Sequence, residues 1–180
     1  MATKLIGLYS PAPQSGKTTI AKIAQANGYS VVPFAEPLKL MLAPLLSSLG
    51  YTDLEVQRFV HERKEDMVPE LGITPRALMQ TLGTEWGRTC ISPDVWLKVW
   101  QIRASRHERV IVDDVRFVNE AELVRRMGGD VWLIRRPGTV RSTRHASEGG
   151  LDEWPHFTDV IYNGSTLEHL EQAISARFCW

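Results

Sequence analysis

The sequence predicts an α/β fold in three layers: a mainly parallel five-stranded sheet flanked by helices. Two observations predict it. Short apolar runs rich in β-branched residues recur along the chain, at 4–9, 29–34, 109–112, 130–135 and 159–162. Between them lie stretches with helical spacing of apolar residues, so strands alternate with helices as βαβ units do. In such sheets ligands sit beyond the carboxyl ends of the strands.

Each element follows from local chemistry. Lys4-Leu5-Ile6-Gly7-Leu8-Tyr9 reads as a buried strand, and Ile20-Ala21-Lys22-Ile23-Ala24-Gln25 as the first helix, stopped at Gly28. Tyr29 to Phe34 is the second strand, and Pro37 opens a helix that runs to Leu49. Residues 52–70 are charged and helical in character, with the run Glu62-Arg63-Lys64-Glu65-Asp66 on a solvated face. Thr74-Pro75 is a cap and first-turn proline for a helix from Arg76 to Arg88, which places Arg76, Gln80 and Gly83 or Thr84 on one stripe. Gly83 and Gly87 each cost a helix about 1 kcal/mol relative to alanine. Either helix–helix packing or the close approach of another group accounts for them. Ser92-Pro93-Asp94 starts the helix Val95–His107. Arg109 to Val112 is the third strand, ending in Asp113-Asp114, and Asn119 caps a helix with Glu122 three residues on. The fourth strand is Asp130–Arg135, the fifth Asp159–Tyr162, and Ser165-Thr166-Leu167-Glu168 is a capping box for the last helix.

Composition bounds the function. A chain of 180 residues is long enough for one domain with a sizeable core. Lys and Arg number 21 and so do Asp and Glu, so net charge gives no reason to expect a nucleic-acid or membrane surface. No apolar stretch has the length of a membrane span, and no signal pattern opens the chain. The two cysteines, Cys90 and Cys179, lie far apart and outside any CxxC, as free thiols in a reducing cytoplasm do. His61-Glu62-Arg63-Lys64-Glu65 lacks the second histidine of a zinc HExxH, so no structural metal is expected.

The chemistry concentrates after the first strand. Ser10-Pro11-Ala12-Pro13-Gln14-Ser15 breaks into Gly16-Lys17-Thr18-Thr19 and then a helix. Strand, loop, Gly-Lys-Thr, helix is the context of a phosphate-binding P-loop. Loop N–H groups from Gln14 to Thr19 and the helix dipole would capture an anion. Lys17 would reach the terminal phosphates and the Thr18 hydroxyl would ligate Mg²⁺. Pro11 stands where this pattern usually begins with glycine, so the loop entry departs from the common form. Of the Asp113-Asp114 pair, Asp113 directly follows the apolar run. Because side chains alternate along a strand, one of the two faces the ligand crevice. Arg116 just beyond suits bidentate phosphate binding. Arg136, Arg141 and Arg144 cluster in a chain without net charge, which favours a phosphate-rich ligand over general basicity. A monophosphate acceptor needs no strong base, because its second pKa is about 6, and the sequence offers arginines and carboxylates rather than a His-Asp or Cys-His pair.

An ordered set of stretches carries a family resemblance: Phe34-Ala35-Glu36-Pro37-Leu38-Lys39, Thr74-Pro75-Arg76, Gln80 through Arg88, Asp114-Val115-Arg116-Phe117-Val118-Asn119-Glu120, Arg135-Arg136-Pro137-Gly138, His145-Ala146-Ser147-Glu148, and Asp159 to Gly164. The chain resembles the deoxynucleoside monophosphate kinases of tailed bacteriophages, relatives of the adenylate and dephospho-coenzyme A kinases. The resemblance implies a P-loop kinase domain over 1–180, with a helical acceptor-binding insertion at about 36–107 and a lid at about 136–156. It implies ATP as donor, Mg²⁺, and a deoxynucleoside monophosphate as the small-molecule acceptor, in the cytoplasm (the host's, if phage-encoded). Gln14, Ser15, Gly16, Lys17, Thr18, Thr19, Arg136 and Asn163 would bind ATP. Glu36, Lys39, Arg76, Gln80, Trp86, Arg88, Asp114 and Arg116 would bind the acceptor, and Thr18 and Asp114 the metal, Asp114 matching the Asp-Val-Arg-Phe motif. Lys17, Arg116, Arg141 and Arg144 would serve catalysis. Glu36 departs from the aspartate common at its position. Other acceptors remain open: dephospho-coenzyme A, a small metabolite or a modified DNA base. So do a nucleotide-binding module without turnover and a homodimer through the tryptophans, Trp180 included.

Overall fold

The computed structural model describes residues 4–139 and 150–178, and the chain divides into two compact units. One, here the sheet unit, comprises Met1–Phe34 and Trp100–Trp180; the other, the helical unit, is Ala35–Val99.

The sheet unit holds β1 (Leu5–Tyr9), β2 (Ser30–Val31), β3 (Val110–Val112), β4 (Asp130–Arg135) and β5 (Asp159–Tyr162). Their order is β2-β3-β1-β4-β5 and every neighbouring pair is parallel. β1 is central, its Gly7 in register with Val112 on one side and Val131 on the other. A parallel sheet sends all its carboxyl ends to one edge. The loop after Tyr9, the Asp113-Asp114 pair and Arg136 therefore leave the sheet on the same side.

Helices α1 (Lys17–Ala26) and α7 (Leu167–Phe178) cover one face, where Ile20, Ala21, Ala24, Leu170 and Ile174 meet Ile6, Leu8, Ile111 and Ile134. These residues are the helical stripes and alternate strand positions that burial requires. Helix α6 (Val118–Arg126) packs on β1 and β4. Gly7 makes room there: a Cβ on it would lie 3.0 Å from Val115 Cγ2 and 3.5 Å from Val124 Cγ2.

β2 is shorter than the expected 29–34, for a visible reason. Val32 N–H still reaches the Ile111 carbonyl at 2.9 Å. Beyond it side chains take over from the ladder: Trp100 Nε1 donates to the Val32 carbonyl at 2.7 Å, and Phe34 N–H donates to Asp114 Oδ1 at 2.8 Å. Two caps also differ. The α6 entry is secured by Glu120, whose Oε2 accepts the N–H groups of Arg116 and Phe117, rather than by Asn119. The α7 entry is capped by Thr166, which accepts His169 N–H, rather than by Ser165.

The helical unit contains α2 (Glu36–Ser48), α3 (Asp53–His61), α4 (Pro75–Thr81) and a π-helical segment, Leu82–Ile91. Helix α5 (Val95–Ala104) begins in this unit and ends in the sheet unit. Leu42, Leu46, Val56, Phe59, Val60 and Val68 form its core. Thr52 and Glu55 cap α3 reciprocally. The helical character expected over 52–70 stops at His61, because the next five residues, Glu62 to Asp66, supply no apolar side chain to continue the stripe. Val68 instead returns to the core fully buried and bridges Ile73.

Thr74 and Pro75 start α4 as their chemistry dictates, Thr74 Oγ1 accepting Ala77 N–H at 3.2 Å. The single helix expected from Arg76 to Arg88 is not found. α-Helical bonding ends at Thr81 and a π-helix takes over, so the stripe through Arg76 and Gln80 does not extend to Thr84.

Candidate active site

Anion capture begins with backbone. Gln14 has φ 55° and Gly16 φ 101°, left-handed conformations that turn the loop back on itself before Lys17 starts α1. Gly16 is required twice over: its φ disfavours any side chain, and a Cβ would collide with Asn163 Nδ2. Asn163, just after β5, donates from that amide to the Ser15 carbonyl at 2.9 Å. Arg136, just after β4, donates to the Gln14 carbonyl at 3.0 Å. The carbonyls of the loop are thus engaged from behind, which suits a loop whose N–H groups serve a ligand. Ser15 is buried, and Lys17 Nζ lies 3.4 Å from its hydroxyl.

The Lys17 ammonium is held below the ordinary lysine range, first by burial and then by the Arg116 guanidinium. The Asp113 and Asp114 carboxylates oppose this, Asp113 the more strongly. Arg116 and the two carboxylates therefore all act on the Lys17 ammonium. Asp114 also has a structural task in holding Phe34 N–H. Among the described residues no group of three or more His, Cys, Asp or Glu is arranged as a metal site. Mg²⁺ needs only one or two carboxylates, sharing the ion with substrate phosphates and water. The oxygen donors Thr18, Asp113 and Asp114 fit such an ion.

A cavity of about 520 Å³ opens beside the loop, lined by Tyr9, Pro11, Arg136, Asp152 and Tyr162 among others. Pro11, the departure from the usual loop entry, is thus in its wall. Tyr9 hydroxyl donates to Asp152, and the Tyr9 ring stacks on Phe157 at 5.8 Å. Neither Tyr9 nor Asp152 carries a motif signal, and only the packing of the chain after residue 150 shows their link. Arg141 and Arg144 lie outside the described residues, as does the His145–Glu148 stretch.

The helical unit carries the other candidates. Lys39 pairs with Glu36 at 3.3 Å, and its Nζ lies 3.5 Å from His61 Nδ1. Burial and Lys39 hold the His61 imidazole below its ordinary pKa. Arg76 pairs with Glu65, and its N–H donates to the Lys64 carbonyl, so the charge run assigned no role anchors a candidate arginine. Gln80 is half-buried, Trp86 is 43% exposed, and Arg88 donates to the Pro93 carbonyl at 3.2 Å.

A glycine–lysine loop entering a helix from the central strand of an all-parallel sheet, with carboxylates ending the neighbouring strand, defines the class of P-loop kinase folds. Within that class the chain belongs to the deoxynucleotide monophosphate kinase family, whose model matches residues 49–174. It is 29% identical to a protein of Acanthamoeba polyphaga mimivirus named "Putative deoxynucleotide monophosphate kinase", over 94% of this chain and 93% of that one. It is 36% identical to the deoxynucleoside-5′-monophosphate kinase of Escherichia phage T5, over 54% of this chain and 43% of that one, and so spans less than half of that relative's length. The crystal structure of TT1252 from Thermus thermophilus shares the fold with a TM-score of 0.53 at 18% identity, covering 98% of this chain and 96% of that one. Among the described residues no helix is long and apolar enough to cross a membrane.

Proposed function

We propose that the chain transfers the terminal phosphoryl group of ATP to the 5′-phosphate of deoxynucleoside monophosphates, giving diphosphates. The observation that carries this reading is the loop itself: its carbonyls bound by Asn163 and Arg136, it presents Lys17 beside Arg116 and two carboxylates in a member of this family. Catalysis here is positioning and electrostatics. Loop N–H groups and Lys17 hold the donor phosphates. Lys17 and Arg116 neutralise charge that builds on the transferring group, and their partial burial strengthens that effect. Thr18 with Asp113 or Asp114 would hold Mg²⁺, which would supply further charge neutralisation. Glu36, Lys39, Arg76, Gln80, Trp86 and Arg88 recognise the acceptor. The acceptor phosphate is already ionised near neutral pH, so no side chain needs to remove a proton. ATP and deoxynucleotides place the enzyme in a cytoplasm.

Steady-state assays of ADP release with dAMP, dGMP, dCMP, dTMP and modified analogues test the reading. Turnover with at least one is expected. ATP binding without turnover on any of them overturns it.

A further inference from the structure

Trp96 and Leu38 between them account for the two glycines of the π-helical segment. The Trp96 indole Nε1 donates to the Gly83 carbonyl at 2.7 Å, a buried bond across 13 residues. A Cβ on Gly87 would lie 2.5 Å from that same nitrogen and 2.6 Å from two ring carbons. Gly83 is tight on its other side, where a Cβ would meet Leu38 Cδ1 at 3.0 Å. The indole therefore lies against the helix backbone itself and binds a carbonyl within it.

A π-helix is a rare arrangement that an isolated sequence does not choose, and it gathers at functional positions. Here the i→i+5 spacing is evident in the Thr89 hydroxyl, which donates to the Thr84 carbonyl, and in Ser92 N–H, which donates to the Gly87 carbonyl. Widening the turn changes the direction of every side chain after Leu82 relative to the α4 stripe. Trp86 and Arg88 are the candidate acceptor-binding residues on that stretch, and the Trp86 ring lies 6.2 Å from Trp96, tilted by 43°.

We propose that Trp96 is a positioning residue for the acceptor site: by holding the π register it sets the direction of Trp86 and Arg88. This rests on the assignment of those two residues to the monophosphate. Trp96 is itself buried and acts through those two side chains.

Two variants of the full chain test it. Trp96→Phe keeps an aromatic ring and removes the N–H; Gly87→Ala keeps the indole and displaces it. Acceptor KM, ATP KM and thermal unfolding are measured for each, with Arg88→Met as the reference. Either folded variant is expected to raise acceptor KM ten-fold or more, with ATP KM changed less than two-fold. A lowered Tm with acceptor KM unmoved, while Arg88→Met raises it, overturns the positioning role alone. If Arg88→Met also leaves acceptor KM unmoved, the acceptor-site assignment falls and the inference with it. If neither variant folds, a Trp96→Tyr chain that folds by whole-chain circular dichroism and keeps an unaltered acceptor KM likewise overturns it.

Discussion

The two units prepare their cations in opposite ways. In the sheet unit the loop is fixed through its backbone, with Asn163 and Arg136 on the carbonyls, and Lys17 is left partly buried beside a second cation. In the helical unit two candidate cations already have a carboxylate: Lys39 has Glu36 and Arg76 has Glu65. On the proposed assignment of donor and acceptor residues, the Lys17 side carries a charge that phosphate would favour, whereas Lys39 and Arg76 rest paired with carboxylates. An anion-free P-loop carries an unfavourable charge; the acceptor residues must exchange one carboxylate partner for another oxyanion.

The largest effect expected from this contrast is at Lys17. Lys17→Met should lower kcat by about 10³ or more through lost transition-state stabilisation, while raising Tm of the ligand-free protein. The sign follows from linkage. A lysine whose folded pKa is depressed binds fewer protons in the native state, so stability rises with pH between the lowered and the ordinary lysine value. The methionine variant should lose that rise in alkaline unfolding curves. A Tm below that of the parent would show that the ammonium is not strained.

Next comes Gly16→Ala. A left-handed residue with a Cβ costs about 1–2 kcal/mol, and the collision with Asn163 adds to it. ATP affinity should fall roughly 100-fold, about 2.7 kcal/mol, with acceptor affinity nearly unchanged by calorimetry.

The carboxylate pair separates by role. Asp113→Asn should raise the Mg²⁺ concentration needed for half-maximal rate several-fold. Asp114→Asn should lower Tm as well, because Phe34 N–H loses a charged acceptor worth about 1.5–3 kcal/mol. Equal Mg²⁺ responses would assign the pair a shared task.

Smallest is Glu65→Gln. Arg76 and Glu65 are solvent-exposed, so the pair contributes little stability. Releasing the guanidinium should lower acceptor KM by about two-fold, from the modest worth of such exposed pairs. A rise instead would mean that Glu65 holds Arg76 in its working pose.

Strands β1, β3 and β4 were legible because each is a nearly continuous apolar run buried within a parallel sheet. The phosphate loop was legible because glycine, lysine and threonine each do one job at a fixed spacing. What escaped depends on partners distant in sequence. The truncation of β2 needs Trp100 and Asp114. The π-helix needs Trp96, and no periodicity within Leu82–Ile91 announces it. The anchoring of Arg76 needs a glutamate eleven residues earlier, within a run that composition alone makes look merely solvated. Gly83 and Gly87 marked a close approach without naming what approaches. Side chains such as Tyr9 and Asp152 sit in ordinary local contexts and meet across 143 positions.

The bond from Asn163 to the Ser15 carbonyl spans 148 positions and has a consequence for synthesis. A chain emerging from the ribosome makes the loop 148 positions before the side chain that clamps it. Until β5 is released and paired with β4, Gly16 has no amide pressed against it and the loop lacks its fixed curvature. Nucleotide would therefore favour the state in which loop and clamp have met and leave chains still lacking β5 unsupported.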